Sequence, residues 1–405
     1  MKHVVLTIAL CVAATAAFAQ KKAVNEALSI AKGTNANFKD ARELVKPALE
    51  GAETKDDPKT WYVAGFIEDQ QFSAERMKQM LGQTPDEEVM YSSLLNVLPF
   101  FEKAYELDQL PNEKGKIKPK YVKDIKGILG ADHIFYINAG AFYFNERNYP
   151  KAYESFEQYV KIANLPFFKG EKAAERDSNF MLAQYYAAVA STQLNDHELA
   201  IKTLDRASGT DFNLNEVYQY LFQEYQALQD TSNMEKTLEA GLKKAPQEQF
   251  FLMNLIDVYI KTNRFQQAIN YLKTAIDNAT DNKAQLYNVM GIVYEQTTDF
   301  ASAEANFAKA MQEDPDNADI SANLGRIYFN QAFNKQNEAN AINDNKLYQE
   351  EVQKAKELFK KALPYFEKAY QQKPDEREYM VALRGIYYNL NMSDELKDIE
   401  TKMGL

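Results

Sequence analysis

The sequence predicts an all-α protein, organised as a superhelical solenoid of about eight to nine antiparallel helix pairs with two insertions. Small or apolar residues recur at intervals of 34 or 35 residues, at Ala188, Phe222, Ile256, Gly291 and Gly325. Glycine is scarce, with 15 residues in 405, as expected of a helical chain. Aromatic residues are abundant, with 25 Tyr and 24 Phe, and most fall on stripes of helical spacing.

The clearest unit surrounds Gly291. Gly291 and Tyr294 share one face of a predicted first helix. Asp299 is placed to cap a second helix, because its carboxylate can accept a free backbone N–H there. Phe307 lies on the apolar stripe of that second helix, and Pro315 ends it. Small residues allow two helix backbones to approach closely, and the aromatic rings fill the space that remains.

The period and its residues resemble the tetratricopeptide repeat (TPR), whose pattern is W-x2-L-G-x2-Y…A-x3-F…P. The best matches are Met290-Gly291-x2-Tyr294 with Ala303-x3-Phe307 and Pro315, Leu324-Gly325-x2-Tyr328 with Ala362-x3-Phe366 and Pro374, and Ala139-Gly140-x2-Tyr143 with Ala152-x3-Phe156. The resemblance implies a TPR-like array in which the first helix of each pair lines a concave, protein-binding face. It also implies a scaffold and not an enzyme.

The repeats divide the chain into six predicted segments. They are a signal peptide (1–19), a degenerate helix pair (20–56), a repeat with an insertion and a lysine-rich linker (57–130), a regular array (131–317), a repeat with a long helical-hairpin insertion (318–375) and a capping repeat (376–405).

Two of these repeats are interrupted. In the first, residues 70–93 are predicted to separate the two helices, and the second helix to span residues 98–107. In the other, both helices are predicted to lengthen through residues 331–356 into a hairpin with its tip near residues 341–345, because the flanks contain no helix breaker. Pro99 and Pro364 each remove a helix hydrogen bond, so we expect a helix start or a bend at both.

The N-terminus has the pattern of a secretory signal. A basic Lys2 precedes an apolar run, and Ala17-Phe18-Ala19 predicts cleavage near Ala19/Gln20. Cys11, the only cysteine, follows the bulky Leu10, so a lipoprotein is not expected. The chain thus resembles exported TPR proteins of Gram-negative cell envelopes, and a periplasmic or secreted location follows, with possible envelope association and no transmembrane segment after cleavage.

The composition excludes several kinds of chemistry. The net charge of −11 argues against nucleic-acid binding. A mature chain without cysteine, and with only His133 and His197, predicts no metal site and no cofactor; both histidines are expected to be exposed at helix ends. No catalytic motif appears, and a hydrolase would need buried, converging carboxylates. Six lysines between residues 114 and 126 can attract anionic polymers or phosphates, although a solvated linker followed by a short helix is the favoured interpretation.

The predicted function is non-enzymatic: a protein–protein interaction scaffold or assembly factor that binds a peptide or helix of a partner protein in the concave groove. The residues predicted to contact the partner are amides, rings and one arginine: Tyr62, Phe66, Asn138, Phe144, Tyr185, Gln219, Gln223, Asn254, Asn288, Asn323 and Arg326. Whether this groove or the 331–356 hairpin makes the main contact is left open. A glycan-binding helical protein of a nutrient-uptake system is the alternative.

Overall fold

The structure, a computed structural model, describes residues 19–405 apart from residues 113, 173 and 174, so the signal peptide lies outside the described residues except for Ala19. In that part of the chain all regular structure is helical. The helices are α1 (residues 19–31), α2 (Phe38–Glu50), α3 (Pro58–Met80), α4 (Glu87–Asp108), α5 (Val122–Asn145), α6 (Tyr149–Ala163), α7 (Ser178–Ser191), α8 (His197–Ser208), α9 (Leu214–Ala227), α10 (Thr231–Lys244), α11 (Gln249–Lys261), α12 (Phe265–Asn278), α13 (Lys283–Gln296), α14 (Phe300–Glu313), α15 (Ala318–Asn340), α16 (Asn345–Gln372), α17 (Arg377–Leu390) and α18 (Ser393–Met403).

The chain forms two compact units, Met1–Ala245 and Pro246–Leu405. The boundary falls inside the 131–317 segment. Within each unit, helices pack mainly on their neighbours in sequence, from α2 to α10 in the first unit and from α11 to α18 in the second. This neighbour-to-neighbour packing of helix pairs confirms the predicted all-α repeat architecture.

A glycine on the first helix of a pair faces a phenylalanine on the second. A Cβ atom added at Gly291 would lie 2.6 Å from Phe307 Cε1, and one added at Gly140 would lie 2.5 Å from Phe156 Cε1. Gly65 and Gly325 face Phe101 and Phe366 in the same way, across the two interrupted repeats. The recurring glycine is therefore explained by close packing of an aromatic ring against bare helix backbone.

Two glycines of α5 provide a matched test of this packing. Gly140→Ala should destabilise the protein by about 1–2 kcal/mol, because overpacking against the buried Phe156 ring outweighs alanine's better helix propensity. Gly127, in the same helix, has no atom near its Cβ position, so Gly127→Ala should stabilise by about 1 kcal/mol. Urea unfolding of both variants measures the difference, and equal effects at the two sites would contradict the packing role of Gly140.

The turns inside the pairs share a backbone conformation that the sequence analysis missed. Asn195, Gln229, Asn263 and Thr298 all have φ between 55° and 59°, and they stand at the 34- to 35-residue interval. Asp299, which follows Thr298, caps α14 by accepting the Ser302 N–H, as predicted. A left-handed residue at this point lets the chain reverse within a few residues and begin the second helix.

The insertions extend helices instead of adding loops. In the segment predicted to form the 331–356 hairpin, α15 and α16 continue to a turn at residues 341–344. The second helix of the first interrupted repeat was predicted to span residues 98–107, but α4 begins at Glu87, where the Asp86 side chain accepts the Val89 N–H. A helix start was one of the two outcomes expected at Pro99 and Pro364. Neither residue starts a helix, because Pro99 lies inside α4 and Pro364 lies inside α16.

Aromatic rings are the largest side chains of the interior. The largest side chains that are almost completely buried include Tyr136, Tyr143, Tyr259, Phe72, Phe101, Phe156, Phe251, Phe307 and Phe359. These nine rings serve core packing and are not exposed platforms for sugars. No helix in the described part of the chain has both the length and the apolar character needed to cross a bilayer.

Candidate protein-binding face of the second unit

The first helices of two consecutive pairs in the second unit, α13 and α15, are joined by a row of polar side chains. Asn323 Nδ2 donates to Asn288 Oδ1 at 2.9 Å. Both amides are half-buried and lie on faces set by helical spacing. This bond uses one N–H of Asn323 and one lone pair of Asn288, which leaves a donor on Asn288 and an acceptor on Asn323 for a ligand.

One helical turn along the same row, Arg326 is held by a carboxylate. Arg326 Nη2 lies 2.7 Å from Glu295 Oε2, its Nε donates to Glu295 Oε1 at 3.2 Å, and Asn330 Nδ2 reaches the same Oε1 at 3.4 Å. The Glu295 side chain is only 13% exposed. Because the guanidinium is already paired in this bidentate way, Arg326 is poorly suited to grip the terminal carboxylate of a peptide.

The N-terminal ends of α13 and α15 border a cleft of about 380 Å³. Its lining consists of Asn282, Ala284, Gln285, Asn288, Asp314, Asn317, Asp319 and Ile320. Asp319 is tied to the next elements, because Lys373 Nζ and Tyr379 OH donate to it at 2.7 and 2.6 Å. These two hydrogen bonds lower the pKa of Asp319. The cleft therefore has a fixed polar wall beside the Asn288–Asn323 pair.

Exposed apolar side chains follow on α15 and α17, and these were missed from sequence. Phe333, Val381 and Tyr388 are 51%, 53% and 70% exposed. Between them, Gly385 lies so close to Phe329 that an added Cβ would be 3.2 Å from its ring. The sequence signal that could have indicated a shared helix face was the spacing of residues 381, 385 and 388, which are four and three positions apart. Sequence alone does not distinguish the buried Tyr387 from the exposed Tyr388 beside it.

We name the surface formed by Asn288, Glu295, Asn323, Arg326, Asn330, Phe333, Val381 and Tyr388 the first-helix face. Asn254, the fourth predicted residue in the second unit, is half-buried on α11, and its amide donates to the Phe250 carbonyl of its own helix. Of the predicted contacts in this unit, the structure thus brings together Asn288, Asn323 and Arg326.

The seven predicted residues of the first unit differ in exposure. Tyr62 and Tyr185 do not lie on an exposed binding surface as predicted, since they are only 9% and 6% exposed. Tyr62 stacks on Tyr121 with ring centroids 4.5 Å apart, and the Tyr185 hydroxyl donates to Glu216. Such buried rings offer a partner little surface. Of the remaining five, Phe66, Phe144 and Gln219 are half-buried, and Asn138 and Gln223 are exposed.

The prediction of exposed, helix-end histidines is wrong for His133 and right for His197. His133 lies inside α5, is 7% exposed and stacks on Tyr159 with centroids 3.9 Å apart. Burial lowers its pKa. His197 is exposed at the first position of α8, and its Nδ1 lies 2.6 Å from Glu224 Oε2. In the described residues no group of three His, Cys, Asp or Glu side chains forms a metal-binding arrangement.

Two carboxyl groups do converge in the first unit. Asp69 of α3 and Asp132 of α5 are 6% and 4% exposed, and each carboxyl group influences the pKa of the other. Arg76 Nη1 is 3.9 Å from Asp132 Oδ1, whereas the buried Oδ2 of Asp132 has no amine, amide or hydroxyl donor among the described residues. Burial raises the pKa of both carboxyl groups, that of Asp132 to about 8. With so little carboxyl surface open to a substrate, the pair is a feature of the core.

Comparison with known proteins supports the repeat assignment. Models of the tetratricopeptide repeat match residues 252–282 and 296–335, both in the second unit. These two segments therefore match the tetratricopeptide repeat. No curated protein sequence matches it.

Solved structures with similar folds include several TPR proteins. One is a TPR repeats protein from Bacteroides fragilis, with 20% identity, coverage of 64% of this chain and 98% of that chain, and a TM-score of 0.33. Another is a TPR protein from Thermus thermophilus, with 18% identity, coverage of 51% and 99%, and a TM-score of 0.33. A third is YrrB, described as a TPR protein with an unusual peptide-binding site, with 20% identity, coverage of 55% and 97%, and a TM-score of 0.35. These values are too low to transfer a function.

Proposed function

We propose that this protein is a non-enzymatic scaffold or assembly factor that binds a peptide or helix of a partner protein on the first-helix face. The observation that carries the proposal is the row of Asn288–Asn323 and Glu295–Arg326–Asn330 contacts between α13 and α15, together with the exposed rings of Phe333 on α15 and Tyr388 on α17. Amides can pair with peptide N–H and C=O groups, and exposed rings can anchor apolar side chains. In this proposal the chain acts in the cell envelope, after removal of residues 1–19.

The face suits a peptide because its polar groups are already positioned. The Glu295–Arg326 pair links α13 to α15, and the Asn288–Asn323 hydrogen bond orients two amides. A ligand then meets donors and acceptors whose side chains have already lost much of their rotational freedom, so less entropy is lost on binding. We expect the partner segment to combine main-chain hydrogen bonding with one or two apolar residues directed at Phe333 and Tyr388.

A matched pair of double variants tests the assignment. Peptides selected from a display library against the whole protein would be measured by fluorescence anisotropy with Asn288→Ala/Asn323→Ala. Losing two hydrogen-bonding amides should weaken binding by about tenfold or more. The control is Gln266→Ala/Asn270→Ala, which removes an exposed amide–amide pair from α12, a second helix.

The control variant should bind within about twofold of the wild type, since surface changes away from the site have little effect. If both double variants bind the selected peptides equally well, the first-helix face is not the peptide site. Calorimetry with polysaccharides tests the glycan alternative, which predicts measurable heat of sugar binding that the scaffold does not.

A further inference from the structure

The lysine segment, residues 114–126 of the first unit, opposes the charge of the rest of the chain. It carries six lysines and one aspartate, a net charge of +5, whereas the whole chain carries −11. Lys114, Lys116, Lys118, Lys120 and Lys123 are all exposed. An anionic surface would attract this segment and repel most of the remaining protein, so contact would occur here.

The first part of the segment is an exposed linker whose backbone is held by side-chain hydrogen bonds. Asp108 Oδ2, which is buried, accepts the backbone N–H groups of Lys120 and Tyr121 at 2.7 and 2.8 Å. Asn112 Oδ1 accepts those of Lys114 and Lys116 at 2.9 and 3.2 Å. The backbone is thus held in place before any ligand arrives, which reduces the entropy lost on binding.

The side chains of the five exposed lysines do not take part in the hydrogen bonds that hold the backbone of the segment. Among the described residues, which omit residue 113, no carboxylate lies within ion-pair distance of the five exposed lysines, although Lys126 pairs with Glu171 at 2.8 Å. Five like charges within ten residues repel one another in the free protein. Their concentration on a fixed backbone is therefore explained better by an external anionic ligand than by stability.

The kind of side chain favours a lipid surface over an acidic protein. All the basic residues of the segment are lysines, which are depleted from protein interfaces, whereas arginine is enriched there. The compact ammonium group suits phosphate as a point charge. Ile117, between Lys116 and Lys118, is 56% exposed, and Leu110, which precedes the segment, is 58% exposed; both aliphatic side chains can enter the headgroup region of a bilayer.

We propose that the lysine segment docks the protein peripherally on an anionic phospholipid membrane, with Ile117 inserted between headgroups. This proposal is independent of the peptide-binding assignment. Membrane attraction of a lysine falls off within a Debye length, so only the lysines closest to the surface contribute strongly. Binding should therefore be reversible, dependent on anionic lipid and weakened by salt.

Vesicle co-sedimentation of the whole protein tests the proposal. Phosphatidylcholine vesicles containing phosphatidylglycerol should bind it at low ionic strength, and pure phosphatidylcholine vesicles should not. We expect each lysine near the surface to strengthen membrane binding roughly fivefold. Changing Lys114, Lys116, Lys118 and Lys120 to Gln should therefore reduce the partition coefficient by about 100-fold or more. The control changes the exposed Lys236, Lys243, Lys244 and Lys273 to Gln, an identical change in net charge, and should leave binding within about threefold.

A second variant separates lipid from other anions. Ile117→Ser should lower vesicle binding by about fivefold while leaving the charge unchanged. Equal losses in the two quadruple variants, or no preference of the wild type for anionic vesicles, would overturn the proposal. So would retention on immobilised polyglutamate without vesicle binding, because the partner would then be an acidic polypeptide. Circular dichroism verifies that each variant is folded.

Discussion

Phe307→Ala should destabilise the second unit by about 3–5 kcal/mol, the largest effect we expect from a single substitution in this protein. Phe307 is completely buried, and its ring lies against the bare backbone at Gly291. Truncation removes the ring that joins α13 to α14 and leaves a cavity that rigid helices cannot close. Urea unfolding followed by circular dichroism measures the change in the free energy of unfolding.

Phe333→Ala is the matched control, because it makes the same chemical change in the same unit. Phe333 is 51% exposed, so its truncation should lower the free energy of unfolding by only about 1 kcal/mol. If the two variants were equally stable, the ring at Phe307 would not be what holds the pair together.

Asp132→Asn should stabilise the first unit at pH 8 by about 2–4 kcal/mol. Burial and the neighbouring Asp69 raise the pKa of Asp132 to about 8, against about 3.9 in an unfolded chain. Arg76 opposes this rise, and Gln70 hydrogen-bonds to Asp69. A neutral asparagine can still donate to Asp69, and it removes the cost of a second buried negative charge.

The sign of the pH dependence follows from that pKa. Between about pH 4 and pH 8 the folded protein holds a proton that the unfolded chain releases, so stability falls as pH rises, by up to about 1.4 kcal/mol per unit. Urea unfolding from pH 5 to pH 9 should show this slope in the wild type and a flatter one in Asp132→Asn. The control, Glu146→Gln, changes an exposed carboxylate just beyond α5 and should preserve the wild-type slope. A flat wild-type profile would contradict the raised pKa of Asp132.

Much of the fold could be predicted because the repeat imposes local constraints. Gly291 and Phe307 are 16 positions apart, and both the helix pair and its close packing follow from that spacing. The same glycine–phenylalanine relation identified Gly325 and Phe366 as partners across a long insertion. In a repeat protein the same packing residues recur in several units, so the pattern can be recognised even where one unit is degenerate.

What could not be predicted depends on contacts between elements. Pro99 lies within α4, because packing of a long helix overrides the local cost of one missing hydrogen bond. Tyr62 lies on a first helix, yet it is buried because Tyr121, from a segment outside the repeat pattern, stacks on it. Asp69 and Asp132 are 63 positions apart in a sequence rich in carboxylates, and nothing in their spacing indicates that they meet.

Site-specific photo-crosslinking in living cells tests most directly the claim that the first-helix face receives the partner. A photoreactive phenylalanine analogue would replace Tyr388 on that face, Leu347 on the 331–356 hairpin, or Gln266 on α12; all three are exposed. We predict a strong crosslinked partner band from position 388 and none from position 266. A band from position 347 alone would place the contact on the hairpin and contradict the account.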